Sequence, residues 1–203
     1  MRVIVLFPDV EAATPFLLAE PRQAVFVAGS DPAEMAAGTV RAIRAKKPHL
    51  IVLAGTAAAC DDRIPPGSVV EIVASRMEGC TREYAATGPE TGLPEAVSAT
   101  CGGPESAGCA AAHASTAAAQ PAAEDSAASG SPTDGTSDEP LVVEREGAAF
   151  FAVCEAMETP CLQIRAVTHR CGDRPDPERV RTMLQTLAET LAETLGRIAE
   201  AEA

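Results

Sequence analysis

The hydrophobic and polar positions of this chain separate short apolar runs from longer amphipathic stretches. Residues 2–6 are rich in β-branched residues and leucine, and Pro8 stops the run, a pattern typical of a strand buried on both faces. Comparable runs predict strands at 23–28, 49–54, 68–74 and 161–167. Strands buried on both faces need helices above and below the sheet.

Amphipathic stretches predict helices at 32–45, 147–157 and 177–199. Asp31 and Asp176 stand at N-cap positions, and Pro32 suits a first helical turn. The last helix has an apolar stripe of Leu184, Leu187, Leu191, Leu195 and Ile198. A coiled-coil seam uses the same spacing, but the run is shorter than about four heptads, so we expect the stripe to pack on the domain's own sheet.

The order of strand, helix and strand predicts right-handed parallel crossovers. The predicted fold class is therefore α/β: a three-layer sandwich with a mostly parallel twisted sheet and helices on both faces. We expect residues 1–203 to form a single domain of this kind.

Residues 82–140 interrupt the pattern. The signal fades after Arg82, and the stretch from Cys101 to Pro140 contains no Val, Ile, Leu, Met or aromatic residue. Such a stretch cannot bury enough apolar area to offset the entropy of ordering it. We predict an irregular, low-complexity insert at about 82–140, with ordered structure resuming at 141–143.

Composition and charge exclude several classes of protein. Because 46% of the residues are hydrophobic, the chain can form a core. The net charge of -13 and the pI near 4.6 oppose binding to nucleic acid or to an anionic membrane. No run approaches the roughly 18 apolar residues of a membrane helix, and Pro8 and Asp9 end the first run before a signal-peptide core could form.

The cysteines indicate a reducing environment. They lie at 60, 80, 101, 109, 154, 161 and 171, without the close pairs of a zinc site. We expect a cytoplasmic protein in which Cys154 and Cys161 are small core residues.

Three segments carry a resemblance to a known family. The first is FPDVE at 7–11, directly after the first strand. The second is PHLIVLAGTAA at 48–58 followed by PGSVVE at 66–71, and the third is EREGAAFF at 144–151 followed by QIRAVTH at 163–169. In this order the segments resemble the purine nucleoside phosphorylase and nucleosidase superfamily, and most closely its futalosine hydrolase branch.

The resemblance implies a nucleosidase that cleaves the N-glycosidic bond of a purine nucleoside-like substrate, in the futalosine branch as a step of menaquinone biosynthesis. Cleavage passes through an oxocarbenium-like sugar, so it needs an activated water, anchors for the ribose hydroxyls and assistance to the departing base. The resemblance implies no metal or organic cofactor. It also implies a homo-oligomer, because the family is commonly oligomeric.

The family pattern assigns roles to residues of this chain. Glu11 would polarise the attacking water, Glu146 would bind the ribose hydroxyls, and His169 stands at the position of the leaving-group acid. Gly55 and Thr56 are expected in a small-residue loop at the carboxyl end of a strand, where open α/β sheets bind ligands. The substrate-binding set is completed by Phe150, which could line the same pocket.

Each of these residues also has a structural interpretation. Glu11 and Glu146 would suit the first turn of a helix, where the dipole favours an acid. Phe150 on an apolar helix face would suit the core. A single histidine at a strand end, such as His169, is often a surface residue.

Several positions depart from the family pattern. Arg145 replaces a methionine that packs on the sugar, and His169 replaces an aspartate or asparagine, although an imidazole can also donate a proton near neutral pH. The family has a second glycine in the loop that reads TAAA at 56–59, and no aromatic residue lies between Tyr84 and Phe150 to stack on a base. These departures favour an alternative, a catalytically degenerate relative that binds nucleosides.

A phosphorylase is the third hypothesis. It would need a cationic phosphate site, and a glycine-poor loop next to Asp61 and Asp62 does not supply one. Release of free base with and without phosphate would separate the three hypotheses.

The composition of the insert makes a testable prediction. Limited proteolysis should cut first between Cys101 and Pro140, because a stretch without core-forming residues exposes its backbone to a protease. Mass spectrometry of the early fragments, with amide exchange as a second measurement, would locate the cuts. Slow exchange across this stretch would contradict the prediction.

Overall fold

The computed structural model describes residues 1–101 and 141–201, and within them eight strands and four helices. No helix of these two ranges is long and apolar enough to cross a membrane. In chain order the elements are β1 (Val3–Phe7), α1 (Val10–Ala19), β2 (Ala24–Val27), α2 (Pro32–Lys46), β3 (Leu50–Ala59), β4 (Val69–Met77), β5 (Glu83–Ala85), β6 (Glu95–Thr100), β7 (Leu141–Glu144), α3 (Gly147–Ala156), β8 (Cys161–Arg170) and α4 (Pro177–Ala201).

Aspartates start three of the helices. The Asp31 carboxylate accepts hydrogen bonds from the amides of Ala33 and Glu34 at 2.8 and 2.9 Å, and Asp176 accepts one from Glu178 at 3.1 Å. These two caps confirm the predicted starts of α2 and α4. Asp9 caps α1 in the same way. Such caps satisfy amide groups that have no partner inside the helix.

The strands form one mixed sheet in the order β2-β1-β3-β7-β6-β4-β5, and β8 pairs with both β3 and β4. Parallel pairs join β1 to β2 and β3, β3 to β8, β4 to β6, and β6 to β7. The pairs of β3 with β7, and of β4 with β5 and β8, are antiparallel. The predicted α/β class with a mostly parallel sheet is confirmed.

The sheet also closes on itself. Because β8 joins β3 to β4, the strands β3, β7, β6, β4 and β8 form a closed ring. The strands β2, β1 and β5 extend outward from this ring. Closure removes the free edges of five strands, a feature that the hydrophobic pattern did not predict.

Helices cover both faces of the sheet. On one face, α2 and α3 pack against residues such as Leu6, Ile51 and Leu53. On the other face, α1 and α4 pack against Val52 and Ile164. The apolar stripe of α4 is buried there, so its predicted packing on the domain's own sheet is confirmed.

The prediction of irregular structure from residue 82 onward is wrong for residues 83–100. This range contains β5 and β6, and β6 lies inside the ring between β4 and β7. The buried positions of β6 are Ala96, Ser98 and Thr100, which are small or polar. A strand that buries hydroxyl groups lacks the apolar run by which strands are recognised. Residues 102–140 lie outside the described residues.

The expectation of buried core cysteines is confirmed, whereas the expectation of reduced thiols is not confirmed for every cysteine. Cys154 and Cys161 are buried in the core, as predicted. Cys60 and Cys171, however, form a disulfide between the ends of β3 and β8, with Cα atoms 5.2 Å apart. The expectation of reduced thiols is therefore wrong for this pair. The two residues are 111 positions apart in sequence, and only the pairing of β3 with β8 brings them together.

Two helical glycines should respond oppositely to the same substitution. A Cβ on Gly38 of α2 would lie 2.6 Å from the Cα, Cβ and carbonyl oxygen of Ala28, whereas a Cβ on Gly196 of α4 would meet nothing within 4 Å. We expect Gly38→Ala to lower the free energy of unfolding by about 1–3 kcal/mol through overpacking. Gly196→Ala should raise it by up to about 1 kcal/mol through helix propensity. Urea unfolding measures the free energy of unfolding of both variants. Equal changes in the two variants would contradict the close packing of Gly38 on the backbone of Ala28.

Candidate active site

The candidate site lies where the carboxyl ends of β1, β3 and β8 meet. These three strands are parallel, with Leu6 opposite Leu53 and Gly55 opposite Arg165. The strands β3 and β8 continue past the end of β1, and α1 begins at that level. In this region the Arg165 side chain of β8 contacts Glu146 at the start of α3.

A buried guanidinium occupies the centre of this region. The Arg165 side chain has 0% of its surface exposed. Its Nη1 donates to Oε1 of Glu146 at 2.7 Å, and its Nη2 donates to Oε2 of Glu144 at 3.2 Å. The Gln163 amide, with its oxygen towards the guanidinium, accepts from Nε at 2.9 Å and Nη2 at 3.2 Å. A buried charge is tolerated only when it is paired and hydrogen-bonded in this way.

Two glycines make room for this assembly. A Cβ on Gly55 would lie 2.5 Å from Nη1 of Arg165. A Cβ on Gly147 would lie 2.5 Å from the side-chain amide of Gln163 and 2.8 Å from Oε1 of Glu144. All three distances are too short for a real contact, so larger residues at these positions would displace the polar groups.

Glu144 uses both oxygens of its carboxylate inside the protein. Oε1 accepts hydrogen bonds from the hydroxyls of Thr100 and Ser98, the latter at 3.2 Å. Oε2 accepts from the amide of Glu146 at 2.7 Å, from the amide of Gly147, and from Arg165. Glu144 therefore caps α3 and connects the helix to β6.

Glu146 differs from Glu144 because one of its oxygens is unused. Glu146 is the N-cap residue of α3 but makes no side-chain cap hydrogen bond. In the described residues, Oε1 binds Arg165 and Oε2 has no partner. Burial raises the pKa of Glu146, Arg165 opposes this shift, and the neighbouring Glu144 adds to it. The interpretation of Glu146 as an exposed first-turn acid is wrong, since the residue is buried and Glu144 performs the capping.

His169 lies near the end of β8 in a groove of about 360 Å³. Its Nδ1 is 2.7 Å from the hydroxyl of Thr168. Burial lowers the pKa of His169 below its ordinary value of 6.5, and the carboxylate of Asp173 partly opposes this shift. The ring is half-buried, so a ligand in the groove could reach it.

The other sequence-predicted residues have different surroundings. Glu11 is exposed in the first turn of α1, and its carboxylate has no partner in the described part of the chain. Gly55 and Thr56 lie within β3 rather than in a loop, because the strand continues to Ala59. The loop expectation is wrong because the alanines that follow Thr56 pair with β8 and β7.

Phe150 belongs to the core. It is 0% exposed and packs in the hydrophobic cluster beneath α3, beside Phe151. A fully buried ring presents no surface to a ligand, so its location agrees with the structural interpretation and not with a pocket wall.

The structure thus brings Gly55 and Glu146 together through Arg165, but its contacts do not join Glu11 or His169 to this group. Sequence reasoning missed Arg165, Glu144 and Gln163. One signal was available: Arg165 stands between Ile164 and Ala166 in a strand predicted to be buried. A charge in such a strand requires buried partners of opposite sign.

Comparison with known proteins identifies the family. The model of the phosphorylase superfamily matches residues 16–201. The chain therefore belongs to the phosphorylase superfamily. No curated protein matches it. In the described residues, no three His, Cys, Asp or Glu side chains converge as a metal site would need.

Solved structures of nucleosidases share the fold. The 5'-methylthioadenosine nucleosidase of Arabidopsis thaliana has a TM-score of 0.76 at 15% identity, covering 97% of this chain and 95% of that chain. The 5'-methylthioadenosine/S-adenosyl homocysteine nucleosidase of Campylobacter jejuni has a TM-score of 0.74 at 12% identity, covering 97% and 99%. A futalosine hydrolase mutant of Helicobacter pylori has a TM-score of 0.72 at 13% identity, covering 96% and 98%.

Arg165 makes a stability prediction. Arg165→Met should lower the free energy of unfolding by about 3–5 kcal/mol, because it leaves two buried carboxylates without their cation. Arg82→Met is the matched control, since Arg82 pairs with Glu155 on the surface and such a pair contributes at most about 1 kcal/mol. Urea unfolding at neutral pH measures both variants. A small effect of Arg165→Met would show that the assembly does not stabilise the fold.

Proposed function

We propose that this protein is a nucleosidase that hydrolyses the N-glycosidic bond of a purine nucleoside-like substrate. One observation carries the proposal. Of the two buried carboxylates that bind Arg165, Glu144 has both oxygens occupied, whereas Glu146 has one oxygen without a partner. A buried carboxylate held rigidly with one free oxygen is suited to accept hydrogen bonds from a ligand.

Glu146 would accept hydrogen bonds from the ribose hydroxyls. Arg165 fixes the orientation of its carboxylate before the substrate arrives, which reduces the cost of ordering the site on binding. The hydroxyl of Thr56 also lacks a hydrogen-bond partner in the described residues. The assignment of Thr56 as a second contact to the sugar rests on the family resemblance, because successive residues of a strand point to opposite faces and Gly55, not Thr56, faces the guanidinium.

Cleavage needs a proton for the departing base and a nucleophilic water. We assign the proton to His169, whose imidazolium can donate to a purine nitrogen as the bond to the sugar breaks. We assign polarisation of the water to Glu11, at the first turn of α1. The oxocarbenium-like sugar would then be attacked by the water, and the products would be free base and ribose carrying the remaining substituent.

A substrate of futalosine type is the finer part of the proposal. It is supported by the motifs at 7–11, at 48–58 with 66–71 and at 144–151 with 163–169, and by the shared fold of the Helicobacter pylori futalosine hydrolase. Action in menaquinone biosynthesis, a cytoplasmic location and a homo-oligomeric state belong to the same proposal. The fold is shared equally with methylthioadenosine nucleosidases, so the test includes their substrate.

The alternative is a relative that binds nucleosides without cleaving them. Two observations favour it: Arg145 is exposed beside Glu146, and Phe150 is in the core rather than beside a base. An incubation of native protein with futalosine, methylthioadenosine and inosine, with and without phosphate, distinguishes the functions. Phosphate-independent release of base supports a nucleosidase, strict phosphate dependence supports a phosphorylase, and saturable binding without release supports the alternative.

The catalytic assignment predicts a pH profile. A general acid loses its proton as the pH rises through its pKa, and burial lowers the pKa of His169 below 6.5. Turnover should therefore decline as the pH rises through a value below 6.5. His169→Ala should remove this decline and reduce the rate by a factor of roughly 10²–10⁴. His169→Asp should keep part of the activity and move the decline to lower pH.

Glu146→Gln tests the binding role separately. The amide can still accept a hydrogen bond from Arg165, so unfolding should change by only about 1–2 kcal/mol, whereas nucleoside affinity should weaken. Glu155→Gln, an exposed residue of α3, is the matched control for both measurements. Unchanged affinity and turnover in Glu146→Gln would assign Glu146 to structure alone.

A further inference from the structure

A β-bulge lies immediately before His169. The ladder between β3 and β8 pairs Ala57 with Val167 and then Ala58 with His169, which leaves Thr168 as an extra residue on β8. Such bulges redirect side chains and occur often beside active sites. Here the bulge buries Thr168 to 2% exposure and leaves the next residue, His169, facing the groove.

The Thr168 hydroxyl lies between two polar atoms. Its Oγ1 is 3.4 Å from the carbonyl oxygen of Ala57 and 2.7 Å from Nδ1 of His169. A hydroxyl can both donate and accept a hydrogen bond. When the imidazole is protonated, Nδ1 donates to Oγ1 and the hydroxyl turns its own hydrogen towards Ala57. When Nδ1 carries no proton, the hydroxyl donates to it.

We propose that Thr168 is a positioning residue for His169, and that its hydroxyl engages Nδ1 and leaves Nε2 as the nitrogen that exchanges a proton with the ligand. This inference rests on the proposed function for the role of His169. In the described residues, Nδ1 has the Thr168 hydroxyl as its partner and Nε2 has none. The hydroxyl therefore selects the reacting nitrogen before any substrate binds.

The bulge is held in place on both sides. Before it, β3 and β8 pair continuously from Ile51 opposite Cys161. After it, the amide of Cys171 donates to the carbonyl of Ala59 at 2.8 Å, and the disulfide to Cys60 joins the two strand ends. These restraints keep Thr168 and His169 in one geometry. The charged residues that line the groove with His169 are Arg170, Asp173, Arg174, Asp176 and Arg179.

The activity test compares two substitutions at one position. Thr168→Val keeps the shape and removes the hydroxyl, and we expect kcat to fall roughly tenfold with little change in KM. The imidazolium would lose an acceptor for its Nδ1 proton, so the decline of activity with rising pH should move to lower pH. Thr168→Ser restores the hydroxyl and should stay within about twofold of the native rate.

Thr39→Val is the matched control. Thr39 is also buried, its hydroxyl donates to the carbonyl of Met35 within α2 at 2.7 Å, and it does not line the groove. If any buried threonine hydroxyl had this effect, Thr39→Val and Thr168→Val would change kcat and the pH profile alike. A pH profile of Thr168→Val that matches the native one would overturn the inference.

A measurement without turnover separates this inference from the proposed function. The ¹⁵N resonances of the His169 ring report which nitrogen is hydrogen-bonded. We expect shifts in the native protein and in Thr168→Ser that indicate an engaged Nδ1, and a change in Thr168→Val. If the ¹⁵N shifts of the two ring nitrogens in the native protein are averaged between tautomers, as they are in a free histidine, the inference is overturned. If the native protein releases no base from any nucleoside, the proposed function fails, and the nitrogen shifts still decide whether Thr168 holds Nδ1.

Discussion

The structure around the site depends on one requirement, that the buried guanidinium of Arg165 be fully paired. Arg165 lies in the middle of β8, the strand that joins β3 to β4 and closes the ring. Two carboxylates and one amide oxygen surround it, and these come from the end of β7, the start of α3 and β8 itself. Removing any of them would leave a buried charge incompletely paired, which is far more costly than losing one hydrogen bond at the surface.

This requirement explains several features that otherwise look unrelated. Gly55 and Gly147 are glycines because any side chain there would collide with the guanidinium or its partners. The hydroxyls of Ser75, Ser98 and Thr100 are buried on neighbouring strands because Glu144 needs donors as well as a cation. In the described residues no fully enclosed side-chain nitrogen or oxygen lacks a hydrogen-bond partner, and the unused Oε2 of Glu146 belongs to a side chain that is 5% exposed. Rigid support of this kind suits the binding role that we propose for the Glu146 carboxylate.

The rim of the site is less constrained than its centre. Arg145 and His169 differ from the family pattern, and neither takes part in the pairing of Arg165. The solved nucleosidases share the fold at only 12–15% identity. A fold can persist at such divergence while the residues that touch a ligand change, which is why function has to be argued from the site.

The sequence alone determined the α/β class, most helices and the strands that are buried on both faces, because these depend on local apolar runs and on capping residues such as Asp31 and Asp176. It also identified Glu146 and His169 as candidates. It could not reveal β6, whose buried residues are small or hydroxylated, nor the disulfide between Cys60 and Cys171. Only the tertiary structure decided which carboxylate caps α3, which keeps a free oxygen, and that Phe150 lies in the core. These properties depend on contacts between residues far apart in the chain, and a local pattern carries no information about such partners.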